Sequence, residues 1–354
     1  MKIGILTASR TNNNGTDLQA LAMQTLFSAI SNGPAEIINY VCPKLENSRK
    51  AFYPKNIKGL AQMPFRLVRH IQHERFRKKY FQYSEEIYTK ENLQYNPYDL
   101  VVVGSDQIWN LKITGEDMSF FLPFSMKGLK SSYAASIATG DMTQIEEKHH
   151  IHQHLSDFFQ VSVREETAVD ALGGIGVKAR HDLDPLLMLP ADHWEQFVAN
   201  RKTKGKFVFV YTVSRTKEAL AYAKTYAKQN NAKVILWGPM FKPTTGVHSV
   251  PFGSIEEWLF YMKHADLVVT NSYHGLAFCV NFQKKFTLFA LPNKHSNIRL
   301  ESLLETAGVE AQKDGTIYCP DWMGVQEKIE SKRSASERYI KQMLERATEY
   351  AAKN

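Results

Sequence analysis

Cysteine is scarce in this sequence of 354 residues, which has three, Cys42, Cys279 and Cys319, far apart in the chain. An odd number without ligand spacing excludes a disulfide framework and a zinc ribbon, and it predicts a reducing, cytoplasmic location. Long hydrophobic runs are also missing, since no stretch approaches the roughly 20 apolar residues of a membrane-spanning helix. The apolar run near the N-terminus is too short for a signal peptide. We therefore expect a cytoplasmic protein.

The residues that are present indicate a globular protein of about two domains, since a domain averages roughly 150 residues. Hydrophobic residues make up 44% of the sequence and charged residues 23%, which is typical of soluble globular proteins. The net charge of +8 favours anionic partners such as phosphorylated small molecules or anionic lipid. Nucleic acid is not expected as a partner, because no zinc-finger, RRM-like or helix-turn-helix signature accompanies the charge.

The most basic segment covers residues 66–79, where six Arg and Lys residues stand against one Glu. Such a composition is typical of the solvated face of a surface helix. It also suits peripheral contact with an anionic membrane, at the inner face of that membrane, because the helix has apolar residues to bury. These residues are Phe65, Leu67, Val68, Ile71 and Phe76. The sequence leaves both interpretations open.

Short apolar runs alternate with helical patterns along most of the chain, which predicts a parallel α/β fold. Two α/β domains are expected, the first over residues 1–190 and the second over residues 205–325. The amphipathic pattern of residues 333–352 predicts a C-terminal helix, which we expect to pack back across the junction of the two domains.

Two clusters of polar residues follow predicted strands in the N-terminal half, where open α/β sheets bind their ligands. Asn14 and Gly15 follow the first strand, and the glycine permits close approach of a ligand before a helix N-terminus that favours anions. Ser105, Asp106 and Gln107 follow a second apolar strand, and polar loop residues in such a place are candidates for substrate binding. The alternatives are a plain turn in the first cluster and a helix-capping turn in the second.

Two further clusters contain an arginine and a histidine. Arg164 falls between a predicted strand and a helix, where its guanidinium can clamp a phosphate or carboxylate with two hydrogen bonds. The alternative is a surface pair with a neighbouring glutamate. Asn271, Ser272 and His274 occupy a strand-to-helix turn, where the helix dipole favours a neutral imidazole. His274 is either a structural histidine or an acid–base group.

Taken together, these clusters resemble the polysaccharide pyruvyl transferase family. The matching pieces occur in the family's order over residues 3–310, and their ordered set is more specific than any single piece. They cover residues 14–20, 104–109, 132–136, 162–165, 184–187, 271–275 and 297–299.

The resemblance implies two Rossmann-like domains facing a cleft, as in GT-B glycosyltransferases. It also implies transfer of a pyruvyl group from phosphoenolpyruvate to two hydroxyls of a sugar, which forms a cyclic ketal. The acceptor is then a sugar or lipid-linked oligosaccharide, in a cell-surface polysaccharide or its precursor. His274 matches the family's motif histidine and Arg164 its donor-binding arginine, so both are expected to be catalytic. Neither a metal nor a cofactor is expected.

One position departs from the family, because Ser272 stands where some relatives carry an arginine that would help to hold the donor. Asn271 and Ser272 are still expected in the donor site, and the missing cation is expected from Lys284, Lys285 or Arg299. Two other functions stay open. A GT-B glycosyltransferase would use a nucleotide sugar in the same fold, and a paralogue without catalytic activity would bind glycans.

Overall fold

The structure of the protein, a computed structural model, describes residues 1–50, 57–138, 141–203, 205–214, 216–240, 244–291 and 294–353. The chain divides into two compact units. The first contains Met1–Ala51, Arg77–Met188 and Glu330–Asn354, and the second contains Phe52–Phe76 and Leu189–Ile329. The sequence predicts two contiguous domains, whereas here one segment of the N-terminal half belongs to the second unit and the C-terminal end belongs to the first.

Six strands form the parallel sheet of the first unit: β1 (Ile3–Leu6), β2 (Ala35–Tyr40), β3 (Tyr83–Tyr88), β4 (Leu100–Val103), β5 (Leu129–Ser132) and β6 (Phe158–Gln160). Their order is β3-β2-β1-β4-β5-β6. The central strands β1 and β4 contain almost only apolar side chains and are fully buried, as strands covered by helices on both faces must be. A separate sheet pairs β7 (Ser162–Val163) with β8 (Arg180–His181).

The helices between these strands are α1 (Asn14–Ser31), α2 (Pro43–Lys50), α3 (Ile57–Tyr80), α4 (Leu111–Thr114), α5 (Thr143–His149), α6 (Ile151–Ser156), α7 (Glu166–Gly173) and α8 (Pro185–Met188). Two short 3-10 turns cover Leu93–Tyr95 and Met118–Phe121. Helix α1 begins where the Asn13 side chain accepts hydrogen bonds from the backbone N–H groups of Gly15 and Thr16. It ends at Asn32, which adopts the left-handed conformation of a helix C-cap.

The second unit repeats the same plan. Its strands are β9 (Phe207–Tyr211), β10 (Lys233–Trp237), β11 (Val247–Val250), β12 (Leu267–Thr270), β13 (Phe286–Leu288) and β14 (Ile317–Tyr318), and its helices are α9 (Ala191–Glu195), α10 (Thr216–Gln229), α11 (Ile255–His264), α12 (Tyr273–Asn281) and α13 (Lys294–Ala307). The order is β11-β10-β9-β12-β13-β14, with β14 antiparallel to β13. The final helix α14 (Trp322–Ala351) contains the C-terminal helix predicted over 333–352 and continues into the first unit.

Both sheets have the strand order of a Rossmann fold, and the predicted α/β class with parallel sheets is confirmed. In such a sheet the order reverses between two neighbouring strands, and ligands bind at the carboxyl ends of that pair. The pair is β1 and β4 in the first unit and β9 and β12 in the second. A ligand site is therefore expected at the loops that follow these four strands.

The basic segment 66–79 lies within α3. The side chains that α3 buries and exposes differ from those expected from the sequence. Arg77 is buried, and its guanidinium lies 3.2 Å from the buried carboxylate of Asp17. It is therefore not part of a basic surface, because a buried cation needs a buried counter-charge. Leu67 and Ile71, which were expected to be buried, are 47% and 38% exposed. No helix among the described residues is long and apolar enough to span a membrane.

Helix α14 is tied to the first sheet by hydrogen bonds from buried side chains. The Tyr339 hydroxyl donates to the carbonyl of Ser132 at the end of β5 (2.9 Å). The Ser336 hydroxyl donates to the Asp182 carboxylate (2.8 Å) and accepts from the backbone N–H of Leu183 (3.0 Å). Burial raises the pKa of Asp182, so its ionised form depends on such donors.

Replacing Ser336 with alanine is expected to lower the free energy of unfolding by about 1–3 kcal/mol, because Asp182 and Leu183 each lose a buried partner. The exposed Ser334 on the same helix is the matched control, and Ser334→Ala should change stability by less than about 0.5 kcal/mol. Urea unfolding of both variants at neutral pH measures the difference. Equal stabilities would contradict a role for Ser336 in holding α14.

Candidate functional site

The loop after β4 begins at Gly104, whose φ of +135° is rarely adopted by residues with a side chain. A Cβ at this position would lie 2.0 Å from the Tyr133 carbonyl oxygen, so the close approach also requires glycine. The Ser105 hydroxyl donates to the Ala134 carbonyl (2.6 Å), and the Ser105 carbonyl accepts from the Thr7 hydroxyl (3.2 Å). Ser105, a predicted substrate residue, is fully buried and joins the loops after β1, β4 and β5.

Arg164, directly after β7, is the centre of a buried ion cluster. Its guanidinium lies 2.9 Å from Asp184, 3.2 Å from Glu165 and 3.5 Å from Asp106. The Asp106 carboxylate also accepts from the Thr16 hydroxyl on the first turn of α1 (2.8 Å). The predicted residues Asp106 and Arg164 are therefore brought together, and they link four separate segments of the first unit.

The cluster sets one cation against three carboxylates. A guanidinium among three carboxylates is poorly suited to clamp a phosphate or carboxylate of a ligand, since the neighbouring negative charges repel an anion. The donor-binding role of Arg164 stays a prediction, and the contacts described here give the arginine a part in holding the loops of the first unit together. Among the described residues, no three His, Cys, Asp or Glu side chains are grouped to hold a metal ion.

The loop after β1 and the first turns of α1 hold four buried polar atoms that have no hydrogen-bond partner within the described ranges. They are Ser9 Oγ, Thr11 Oγ1, Asn14 Nδ2 and Gln19 Nε2. Buried polar groups are almost always satisfied, so this set indicates a place for water or for a polar ligand, next to the buried Gly15. Asn14 and Gly15 were predicted here, whereas Gln19 was missed. The sequence feature that could have indicated Gln19 is its position between two apolar residues on a helix that is otherwise mostly apolar.

Gln107, a predicted substrate residue, follows Asp106 in the loop after β4. It is half-buried, and its side-chain oxygen accepts from the Asn110 amide (3.2 Å), which is a contact within its own loop. The two residues after it, Ile108 and Trp109, belong to the hydrophobic core of the first unit. The motif that follows β4 therefore combines polar loop residues with two residues of the hydrophobic core.

In the second unit, Asn271 and Ser272 build the turn between β12 and α12. The Asn271 side chain accepts from the backbone N–H of Val213 (2.8 Å) and donates to the Ser214 carbonyl (2.8 Å), so it ties the loop after β9 to the loop after β12. The Ser272 hydroxyl caps α12 by accepting from the backbone N–H of Gly275 (3.3 Å). Both predicted donor residues therefore have a structural role in this turn.

His274 lies in the first turn of α12 and is 6% exposed. Its ring meets the Tyr273 ring edge to face, with 5.5 Å between the centroids. Next to it, a Cβ on Gly275 would lie 2.5 Å from Thr270 Oγ1, so the glycine lets α12 pack closely against β12. The imidazole thus stands at the carboxyl end of β12, where such a sheet binds its ligands.

The three predicted replacement cations lie at different edges of the second sheet. The guanidinium carbon of Arg299 lies 6.0 Å from the centroid of the Tyr273 ring, and α13 follows the carboxyl end of β13. Lys284 and Lys285 directly precede β13, which runs parallel to β12, so they lie at the opposite edge from His274. Burial lowers the pKa of Lys284. Of the three, Arg299 is the one brought near the His274 turn, whereas Lys285 lies away from it.

Residues 13–292 match the sequence profile of polysaccharide pyruvyl transferases. No curated protein matches the chain. Among solved structures, the UDP-GlcNAc 2-epimerase from Neisseria meningitidis bound to UDP-GlcNAc aligns over 100% of this chain and 100% of its own, with a TM-score of 0.51 and 10% identity. The E. coli heptosyltransferase WaaC with ADP aligns over 84% of this chain and 90% of its own, with a TM-score of 0.42 and 14% identity. At such identities the epimerase similarity shows the fold alone.

Replacing Arg164 with glutamine is expected to lower the free energy of unfolding by about 3–5 kcal/mol, because three buried carboxylates lose their cation. Urea unfolding measures the loss. Arg346→Gln is the matched control in the same unit, because Arg346 is exposed and pairs with the exposed Glu349 at 3.3 Å, and it should cost less than about 1 kcal/mol. A stable Arg164→Gln protein with lost donor affinity would restore the clamp interpretation.

Proposed function

The chain belongs to the polysaccharide pyruvyl transferase family, and we propose that it moves a pyruvyl group from phosphoenolpyruvate to two hydroxyls of a sugar. The acceptor is a sugar in a cell-surface polysaccharide or in its lipid-linked precursor. The observation that carries the proposal is the family match over residues 13–292, with the motif histidine His274 at the carboxyl end of β12.

The proposed reaction adds two sugar hydroxyls to C2 of phosphoenolpyruvate and expels phosphate. The C3 methylene gains one proton and becomes a methyl group, while the first hydroxyl forms a C–O bond to C2 and loses its proton. The second hydroxyl then forms the other C–O bond as the bond from C2 to the phosphate oxygen breaks, and its proton leaves with the phosphate. The products are a cyclic ketal and inorganic phosphate, so no oxidant or reductant is needed.

His274 is the proposed acid–base group. An imidazole that takes a proton from a hydroxyl and gives it to a carbon or to a leaving oxygen serves both halves of this chemistry. Support comes from its place in a turn that Asn271, Ser272 and Gly275 hold by hydrogen bonds and close packing. A turn fixed in this way keeps the ring oriented without help from the substrate.

The anionic groups of the donor are proposed to bind at the same turn. Backbone N–H groups at the start of α12 and the nearby guanidinium of Arg299 both favour phosphate or carboxylate. The ion cluster around Arg164 is less suited to an anion, because it contains three carboxylates. Asn14, Gly15, Ser105, Asp106 and Gln107 remain candidates for contact with substrate in the first unit.

The reaction is tested by incubating the protein with phosphoenolpyruvate and a panel of free and lipid-linked sugars. Mass spectrometry should detect an acceptor increased by one pyruvyl ketal, with an equal amount of inorganic phosphate released. Consumption of a UDP-sugar without any pyruvyl product would favour the nucleotide-sugar glycosyltransferase instead. Sugar binding with no turnover of either donor would favour the glycan-binding paralogue.

Replacing His274 with asparagine is expected to lower turnover at least about a hundredfold and to leave the affinity for phosphoenolpyruvate within severalfold, since the change removes the proton carrier and keeps a polar side chain. Steady-state rates and calorimetric donor binding measure the two effects.

His264→Asn is the matched control for this substitution. His264 is exposed at the end of α11 in the same unit, and its Nδ1 contacts the Phe260 carbonyl (2.9 Å). The control is expected to keep full turnover. A well-folded His274→Asn protein that is as active as this control would rule out the acid–base role.

Replacing Arg299 with glutamine is expected to weaken phosphoenolpyruvate binding roughly tenfold or more, because a charge-assisted contact with the donor is lost. Lys285→Gln is the control, since Lys285 lies at the opposite edge of the sheet and should leave donor affinity unchanged. Isothermal titration calorimetry compares the two. Loss of affinity in Lys285→Gln alone would return the donor cation to that lysine.

A further inference from the structure

One face of helix α3 packs against another segment of the second unit, to which most of the helix belongs. The Phe65 ring stacks on the Phe252 ring just beyond β11, with 5.2 Å between centroids and 7° between planes. Two turns further along, the Gln72 side chain donates to the Phe252 carbonyl (3.5 Å), and after one more turn Phe76 is buried. These residues recur at the spacing of a single helix face. The opposite face is therefore directed away from this contact.

That opposite face exposes large apolar side chains. Met63 is 37% exposed, Leu67 47% and Ile71 38%, and the three lie four residues apart in one row along the helix. Toward the C-terminal end of α3, the exposed Arg75 and Lys78 lie on the same side of the helix. We call Met63, Leu67, Ile71, Arg75 and Lys78 the exposed row. At 1.5 Å per residue it is about 22 Å long, apolar over its first half and basic at its end.

We propose that the exposed row docks the protein on an anionic lipid bilayer surface, with α3 lying in the plane of the interface. The apolar side chains of Met63, Leu67 and Ile71 would enter the boundary between headgroups and acyl chains. Arg75 and Lys78 would meet the anionic headgroups.

Charge complementarity selects a lipid surface as the occupant of this face. Two exposed cations, Arg75 and Lys78, lie within four residues at one end of the row, on a protein whose net charge is +8. Three apolar side chains in a single row form a narrow strip, which suits shallow insertion. The inference is independent of the proposed function, because it concerns where the protein binds and involves no catalytic residue.

The experiment is sedimentation of the full chain with vesicles of phosphatidylcholine alone or of phosphatidylcholine with phosphatidylserine, at low and high salt. Binding is expected with the phosphatidylserine vesicles and is expected to fall steeply as salt increases. Little binding to phosphatidylcholine is expected. No binding to the anionic vesicles, or equal binding to both, would overturn the proposal.

Two double variants separate the two contributions. Leu67→Ser with Ile71→Ser should weaken the partition coefficient at least about tenfold, because it removes the inserted side chains. Arg75→Gln with Lys78→Gln should weaken it about fivefold for each cation removed and should flatten the salt dependence.

The matched control is Lys224→Gln with Lys228→Gln, two exposed cations on α10, which removes the same net charge. It should bind vesicles almost as well as the unchanged protein, and thermal melting confirms that every variant folds. If the control loses as much binding as Arg75→Gln with Lys78→Gln, the row has no special role. If light scattering shows a dimer that Leu67→Ser with Ile71→Ser dissociates, a second copy of the chain covers the face and the membrane proposal fails.

Discussion

One buried guanidinium holds together the carboxyl edge of the first sheet. The partners of Arg164 come from the loop after β4, from the start of α7 and from the start of α8, so none of these segments can move away without leaving a charge uncompensated in the interior. Asp106 extends the coupling to the first turn of α1 through Thr16. The geometry of the β1–α1 loop, with its buried polar atoms, therefore depends on the same ion cluster.

The second unit fixes the equivalent place without buried charge. Its turn is held by the amide of Asn271, the hydroxyl cap of Ser272 and the close packing of Gly275. Neutral hydrogen bonds leave the field of the α12 N-terminus uncancelled, whereas the carboxylates around Arg164 oppose an anion in the first unit. The two Rossmann-like units thus share a strand order and differ in electrostatics. This difference favours the second unit for a donor that carries phosphate and carboxylate.

The fold was predictable because parallel strands that are buried on both faces appear in sequence as continuous apolar runs, as β1, β4, β9 and β12 do. The polar clusters after those strands were predictable for the same reason. The partners of Arg164 were not, because Asp184 and Asp106 reach it only through tertiary packing. The place of Lys285 was predictable, since a residue directly before a strand lies at the opposite sheet edge from one that follows the neighbouring parallel strand.

Helix α3 shows why a basic segment cannot be interpreted from composition alone. A helix that contains a run of charged residues can bury any of several faces. From the sequence, the apolar residues Leu67 and Ile71 were as good candidates for burial as Phe76. The ion pair between Arg77 and Asp17 decides among them, because turning the helix about its axis to bury Leu67 would withdraw Arg77 from its buried carboxylate. Separating that pair would cost about 3–5 kcal/mol of stability. Burying one leucine would gain only about 1.5–3 kcal/mol. The apolar residues are thus left outside by the ion pair at the C-terminal end of the same helix.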